Sequence, residues 1–233
     1  MSLVGAQMKP NPLQSLMPMW QQAETSSALD DSLRRLQTDY VDIYYSHEDD
    51  SKVPMEDTLG RYTELIGAGK IRYIAASQHT AERLQQALDI SKANNFASYI
   101  ALQDHYNLMA RNPFESEQAS VVTKNGLSAL PFFGLAKGFL TGKYRPGITV
   151  ESVRAEGVKE YMTPTGWATI EALDAIAKSH SSSISAVALA WLRANSAVST
   201  PIASARTVEQ LAEITQVISL RTEEVEQLNT VSR

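Results

Sequence analysis

Five short apolar runs each end on side chains that can bind or react. His47 follows Val41–Ser46, and Ser77 with Gln78 follows Ile71–Ala76. Gln103 closes Tyr99–Gln103, with Tyr106 just beyond it. Phe132 closes Leu127–Phe132, with Lys137 a few residues on, and Ser204 and Arg206 follow Val198–Ala203. A serine hydroxyl and two glutamine amides supply donors and acceptors without charge, which suits a neutral amide ligand. An aromatic ring beside them offers a stacking face. Arg206 stands just before a helix expected from Thr207, and an arginine at a helix N-terminus suits a phosphate. His47, read alone, fits a hydrogen-bonded structural histidine as well as a functional one. His79 and His105 have no third ligand at metal-motif spacing, so no metal site is expected.

The elements that must position these groups alternate. The starts of the first four runs lie near 41, 71, 99 and 127, at separations of 30, 28 and 28 residues, the length of one strand-plus-helix crossover. Between them, Pro54–Lys70 carries Leu59, Tyr62 and Leu65 at helical spacing and ends on Gly67 and Gly69. Thr80 caps a helix to about Asn94, and Pro113–Asn125 reads as another. A helix from Thr25–Ser26 to Leu36 places Leu29, Leu33 and Leu36 on one face. Gly142–Thr165 reads as a long loop, followed by helices at about 165–180, 184–195, 207–217 and 222–231. The first 22 residues, with Pro10, Pro12 and Pro18, read as an irregular arm, and 23–233 as one domain. No G-x-G-x-x-G motif occurs, which removes the main support for a dinucleotide-binding doubly wound sheet. Even spacing with polar strand ends points to a (β/α)8 TIM barrel, whose chemistry sits on that face. Only about five of eight βα units are visible, so the barrel is expected to be incomplete, lacking N-terminal units. The strands at 41–46 and 198–203 would then present bare edges, which a second copy of the chain could cover.

Composition narrows the classes. The 233 residues carry a net charge of −5, which argues against a nucleic-acid partner or an anionic membrane surface. There is no Cys, which excludes disulfides, thiolate metal sites and a cysteine nucleophile. No apolar stretch is long enough for a membrane span and no secretory signal is visible; a cytoplasmic protein is expected.

Five segments carry a resemblance. Leu33-Arg34-Arg35-Leu36-Gln37-Thr38-Asp39-Tyr40-Val41-Asp42-Ile43-Tyr44 followed by Ser46-His47 looks like the fourth-strand signature of the aldo-keto reductases. Gly69–Ile74 with Ser77, and then Gln103–Leu108, resemble the next strands in order. Leu135-Ala136-Lys137-Gly138-Phe139-Leu140-Thr141-Gly142-Lys143-Tyr144 is the most specific match, and Pro201–Thr207 with Gln210, Leu211 and Glu213 resembles the family's cofactor segment. The resemblance implies NADP(H)-dependent reduction of an aldehyde or ketone, with NAD(H) as the other possible cofactor and a small carbonyl compound as substrate. It implies that His47 orients the substrate. Ser77, Gln78 and Gln103 match residues that hold the nicotinamide carboxamide, with Gln78 where Asn is usual. Phe132 matches the aromatic that stacks on the nicotinamide ring. Leu135, Lys137 and Gly138 match the loop over the pyrophosphate. Ser204, Arg206, Gln210 and Glu213 match the contacts to adenosine and its 2′-phosphate, while Ile214 replaces a common Asn.

The family's catalytic Tyr, Asp and Lys have no counterpart in this sequence; Leu3 occupies the Lys position. The alternative to an oxidoreductase is therefore a catalytically inactive member that acts as a nucleotide-binding or protein-interaction module.

Overall fold

The computed structural model describes residues 3–5, 18–148, 150–151 and 155–233. Two compact units divide the chain, one of residues 1–103 and 121–128, the other of 104–120 and 129–233.

The first unit is a parallel sheet crossed by helices. Its strands are β1 (Leu3–Gly5), β2 (Val41–Ser46), β3 (Ile71–Ser77) and β4 (Tyr99–Gln103), paired in sequence order. Register runs Leu3↔Ile43, Ile43↔Tyr73 and Ser77↔Gln103, with an irregularity in β3–β4 between Ile74 and Ala76. The helices are α1 (Pro18–Leu36), α2 (Met55–Gly67) and α3 (Ala81–Asn94). Strands of a parallel sheet are covered on both faces, so β2 is buried along almost its whole length and Ile74, Ala75 and Ala76 of β3 have no exposed surface. Helix α2 buries Met55, Leu59, Tyr62 and Leu65 at helical spacing. Each such side chain contributes roughly 1.5–3 kcal/mol through removal of apolar surface from water. Chain reversal after α2 falls on Gly69, whose φ of +73 is open to glycine without strain.

The second unit is built on helices α6 (Pro164–Ser179), α7 (Ile184–Ala194), α8 (Val208–Thr215) and α9 (Thr222–Val231). Helix α7 is buried without a break from Ser185 to Leu192, as its nearly uniform apolar sequence requires. Tyr106 packs on Phe114 and Trp191, with ring centroids 4.4 and 5.3 Å apart. Its hydroxyl donates to Glu115 Oε1 at 2.8 Å, and Glu115 holds Arg111 through two further bonds. Arg111 and the Trp191 indole both bond to Asn229, at 2.8 and 3.0 Å, which ties α9 to the 104–120 segment.

The structure departs from the sequence expectations in several places. Within the stretch read as an irregular arm, Leu3–Gly5 form β1 and Pro18 begins α1; residues 6–17 lie outside the described residues. Thr25 and Ser26 are therefore inside α1 rather than capping it, and Leu36 is exposed. The edge of β2 expected to be bare is paired with β1. Val198–Ala203 is not a regular strand: Ser199 and Ile202 donate to the carbonyls of Ala129 and Pro131, but Pro131 and Pro201 have no N–H, and only the Ala129↔Val198 bridge forms. The Leu127–Phe132 run likewise shortens to β5 (Ser128–Ala129). The long loop after Gly142 contains a short helix, α5 (Ala155–Val158), and a 3-10 turn at Lys159–Tyr161.

Candidate active site

In the first unit, the ends of β2, β3 and β4 bring His47, Ser77, Gln78 and Gln103 together. Ser77 is buried and sits in register with Gln103, and Gln78 N–H donates to Gln103 O at 3.2 Å. Gln78 lies in the left-handed region, φ +56. That turn carries its amide across to the loop after β2, where Nε2 donates to the His47 carbonyl at 3.2 Å and reaches Glu48 Oε1 at 3.4 Å. The same loop is clamped from below. Asp49 accepts from Arg83 Nε and Nη2 at 2.6 and 2.8 Å, and Arg83 is fixed by the Thr80 cap of α3. The Arg83 bonds, helped by His79, hold the Asp49 carboxyl below the usual carboxylate range against the opposing effect of burial. Buried His79 donates through Nδ1 to Ser77 O at 2.8 Å and meets Tyr99 edge-on.

In the second unit a cavity of about 640 Å³ collects all eight remaining candidates: Phe132, Leu135, Lys137, Gly138, Ser204, Arg206, Gln210 and Glu213. One wall is a tight loop in which Phe133, Ala136, Lys137 and Gly138 have φ of +53, +46, +56 and +99. Three of these are not glycine, and each left-handed residue costs about 1–2 kcal/mol. Strain of this kind persists where surrounding contacts enforce it, and such places are often functional. Here the enforcing bonds are Ala136 N to Phe133 O at 2.7 Å, Gly138 N to Leu135 O at 2.8 Å, and Asn107 Nδ2 to Phe133 O at 2.9 Å. Lys137 donates to Glu160 at 2.7 Å, which holds the Glu160 carboxyl below its usual range.

The opposite wall is the start of α8. Gln210 Oε1 accepts from Arg206 N at 3.0 Å, and Thr207 Oγ1 accepts from Gln210 N at 3.3 Å. The helix N-terminus beside Arg206 thus uses its own side chains on two of the amides there. The cation at this end is the exposed Arg206 side chain, which makes no ion pair among the described residues.

A match to the model of the aldo/keto reductase family runs over residues 11–233. The chain belongs to that family. It is 31% identical over 214 residues to an L-glyceraldehyde 3-phosphate reductase of Escherichia coli O157:H7, covering 89% of this chain and 62% of that protein. It is 30% identical to an aldo-keto reductase of Alternaria alternata, over 84% of this chain and 53% of that one. A thermostable aldo-keto reductase crystallised with the inhibitor epalrestat superposes with a TM-score of 0.72 at 28% identity, covering 90% of this chain and 66% of that one. The chain therefore spans about 60% of the length of the first of these relatives. The family fold is a (β/α)8 barrel, and the parallel sheet with crossover helices in the first unit is consistent with it.

The cavity fits what the family's nicotinamide dinucleotide requires. Its size falls in the range of small-molecule sites, roughly 300–1,000 Å³. It presents an aromatic edge at Phe132 and Phe133 and cations at Lys143 and Arg206. Lys143 is not among the residues singled out from the sequence, although it stands next to last in the motif that carries the strongest resemblance; it lies over the Tyr144 ring at 5.0 Å and makes no ion pair among the described residues. No group of His, Asp or Glu among the described residues could hold a metal ion. No helix among them is long and apolar enough to cross a membrane.

Proposed function

We propose that this chain binds NADP(H) and belongs to a system that reduces small aldehydes or ketones to alcohols. The observation that carries this reading is the convergence of Phe132, Leu135, Lys137, Gly138, Ser204, Arg206, Gln210 and Glu213 on one cavity that also holds two cations, Arg206 and Lys143, without an ion pair among the described residues. The reduced nicotinamide, when bound, supplies hydride to the carbonyl carbon. In the second unit Phe132 offers its ring as a stacking surface; in the first, the uncharged Ser77 and Gln103 are groups that suit a carboxamide, and His47 is one that suits a carbonyl oxygen. Arg206 and Lys143 hold phosphates, which favours NADPH over NADH.

The second reading is nucleotide binding without turnover. It is favoured by Leu3, which stands at the position that the resemblance gives to the family's catalytic Lys. Loss of a group that supports proton transfer costs up to about 10²–10⁴-fold in rate. The test is a fluorescence titration with NADPH followed by an NADPH-oxidation assay with 4-nitrobenzaldehyde, on protein of verified mass. Saturable NADPH binding with turnover at least about a hundredfold below that of a full-length family member is expected. No NADPH binding would overturn both readings. Binding with full turnover would mean that another residue supplies the proton.

A further inference from the structure

His105 lies within the Gln103–Leu108 segment, which assigns it no role, yet it is built into the wall behind Phe132. The two residues are bridge partners in a short parallel pairing, with Phe132 N donating to Asp104 O at 2.9 Å. Paired residues in a sheet project side by side, and the two rings stack with centroids 5.6 Å apart and planes 18° apart. The Phe133 ring meets His105 edge-on at 5.6 Å. His105 Nε2 accepts from Asn107 Nδ2 at 3.2 Å, and the same amide nitrogen holds the Phe133 carbonyl at 2.9 Å. Asn107 is fully buried and its Oδ1 is taken by Met109 N at 2.8 Å, so its orientation is set. An Nε2 that accepts carries no proton, so the ring is neutral. Burial, and then Lys137, lowers the His105 pKa, while Asp104 and Glu160 act in the other direction.

We propose that His105 is a positioning residue: its neutral ring backs Phe132 and fixes the plane that Phe132 presents to a flat ligand in the cavity. Phe132 and Phe133 both line the cavity and His105 does not, so the stack runs from His105 through Phe132 to the ligand. His105 never touches that ligand. It acts by removing the freedom of Phe132 to rotate, which would otherwise be lost on binding. The inference rests on the NADP(H) reading above, and it adds that the nicotinamide end, not the phosphate end, depends on His105.

The experiment compares two ligands and two variants. NADP⁺ carries the nicotinamide, and 2′-phospho-ADP-ribose lacks it. His105→Phe keeps a ring for Phe132 to stack on, and His105→Gln keeps an acceptor for Asn107 but no ring. Calorimetric titration of the intact chain is expected to give wild-type NADP⁺ affinity for His105→Phe. For His105→Gln it is expected to give affinity about three- to tenfold weaker, the usual range for one aromatic pair. Both variants should bind 2′-phospho-ADP-ribose as the wild type does. Equal weakening of both ligands by His105→Gln, or no weakening of NADP⁺, overturns the proposal. So does weakening by His105→Phe that matches His105→Gln, because the ring would then be irrelevant. Failure of the wild type to bind either ligand refutes the NADP(H) reading itself and is distinct from these outcomes.

Discussion

Replacing Arg206 with Ala separates the phosphate end of the cavity from everything else. The side chain is exposed and makes no ion pair among the described residues, so its removal leaves no buried charge behind. Its backbone N–H is held by Gln210 Oε1 at 3.0 Å, a bond that Ala keeps, so the turn into α8 should persist. The loss is then confined to charge-assisted hydrogen bonds with a bound phosphate, worth about 1.5–3 kcal/mol. At 1.4 kcal/mol per factor of ten, NADPH affinity should fall about 10- to 150-fold. NADH has no 2′-phosphate, and its affinity should change by less than about threefold. The contrast between the two cofactors should shrink as salt rises, because an exposed charge is screened. Fluorescence titration of both cofactors against both proteins, at low and physiological salt, reads the effect. Equal NADPH affinity in the two proteins refutes the phosphate role, and equal losses for NADPH and NADH would show that the turn, not the charge, had been disturbed.

Two further predictions concern the scaffold. A Cβ at Gly166 would lie 1.9 Å from Tyr161 O and 3.1 Å from the Phe139 ring, so Gly166→Ala must push the backbone of the 159–161 turn away from α6. It should destabilise by roughly 1–3 kcal/mol, read as a lower urea midpoint, and an unchanged midpoint would show that the turn moves freely. Asp49 has its carboxyl pKa lowered on folding, so its pairing with Arg83 stabilises at pH values above the unfolded carboxyl pKa, about 3.9, and is lost as pH falls through the lower folded value. Asp49→Asn should therefore lower stability by a constant amount above about pH 5 and by progressively less below pH 4. A gap that stays the same down to pH 3 would contradict the ion-pair account.

Much of the first unit was legible because its signals are local. Thr80 caps α3 where the sequence placed it, and the strands at 41–46, 71–77 and 99–103 follow from apolar runs bounded by turn residues. Strand β1 was hidden because Leu3–Gly5 is too short to show a period, and its pairing with Ile43–Tyr45 is long-range. The start of α1 at Pro18 was read as a break, although proline is well placed in a first helical turn, where its absent N–H has no partner to lose. Val198–Ala203 had a strand's composition, but the prolines that break its ladder lie both within it and in the segment opposite. The candidate residues themselves came from motifs. His105 and Asn107 sit inside the Gln103–Leu108 segment, but their part in the wall could not be read there, because it depends on a register between segments 27 residues apart, His105↔Phe132.

Motif reading takes residues one at a time, whereas the structure shows which polar atoms they have left. Gln78 spends its Nε2 on the His47 carbonyl and Glu48, so Oε1 is the atom it keeps for a ligand, and an amide NH₂ is the group that Oε1 can accept from. Gln210 spends Oε1 on Arg206 N, so it keeps the Nε2 donors, which suit an acceptor such as a phosphate or ribose oxygen. Each amide thus fixes a neighbouring candidate with one end and offers the other end with a defined polarity. An asparagine in place of Gln78 would be one methylene shorter, and holding both the His47 loop and a ligand would require the loop to move. The longer side chain at 78 and the left-handed backbone that aims it are therefore a matched pair, so Gln78→Asn tests whether the position of His47 depends on that reach.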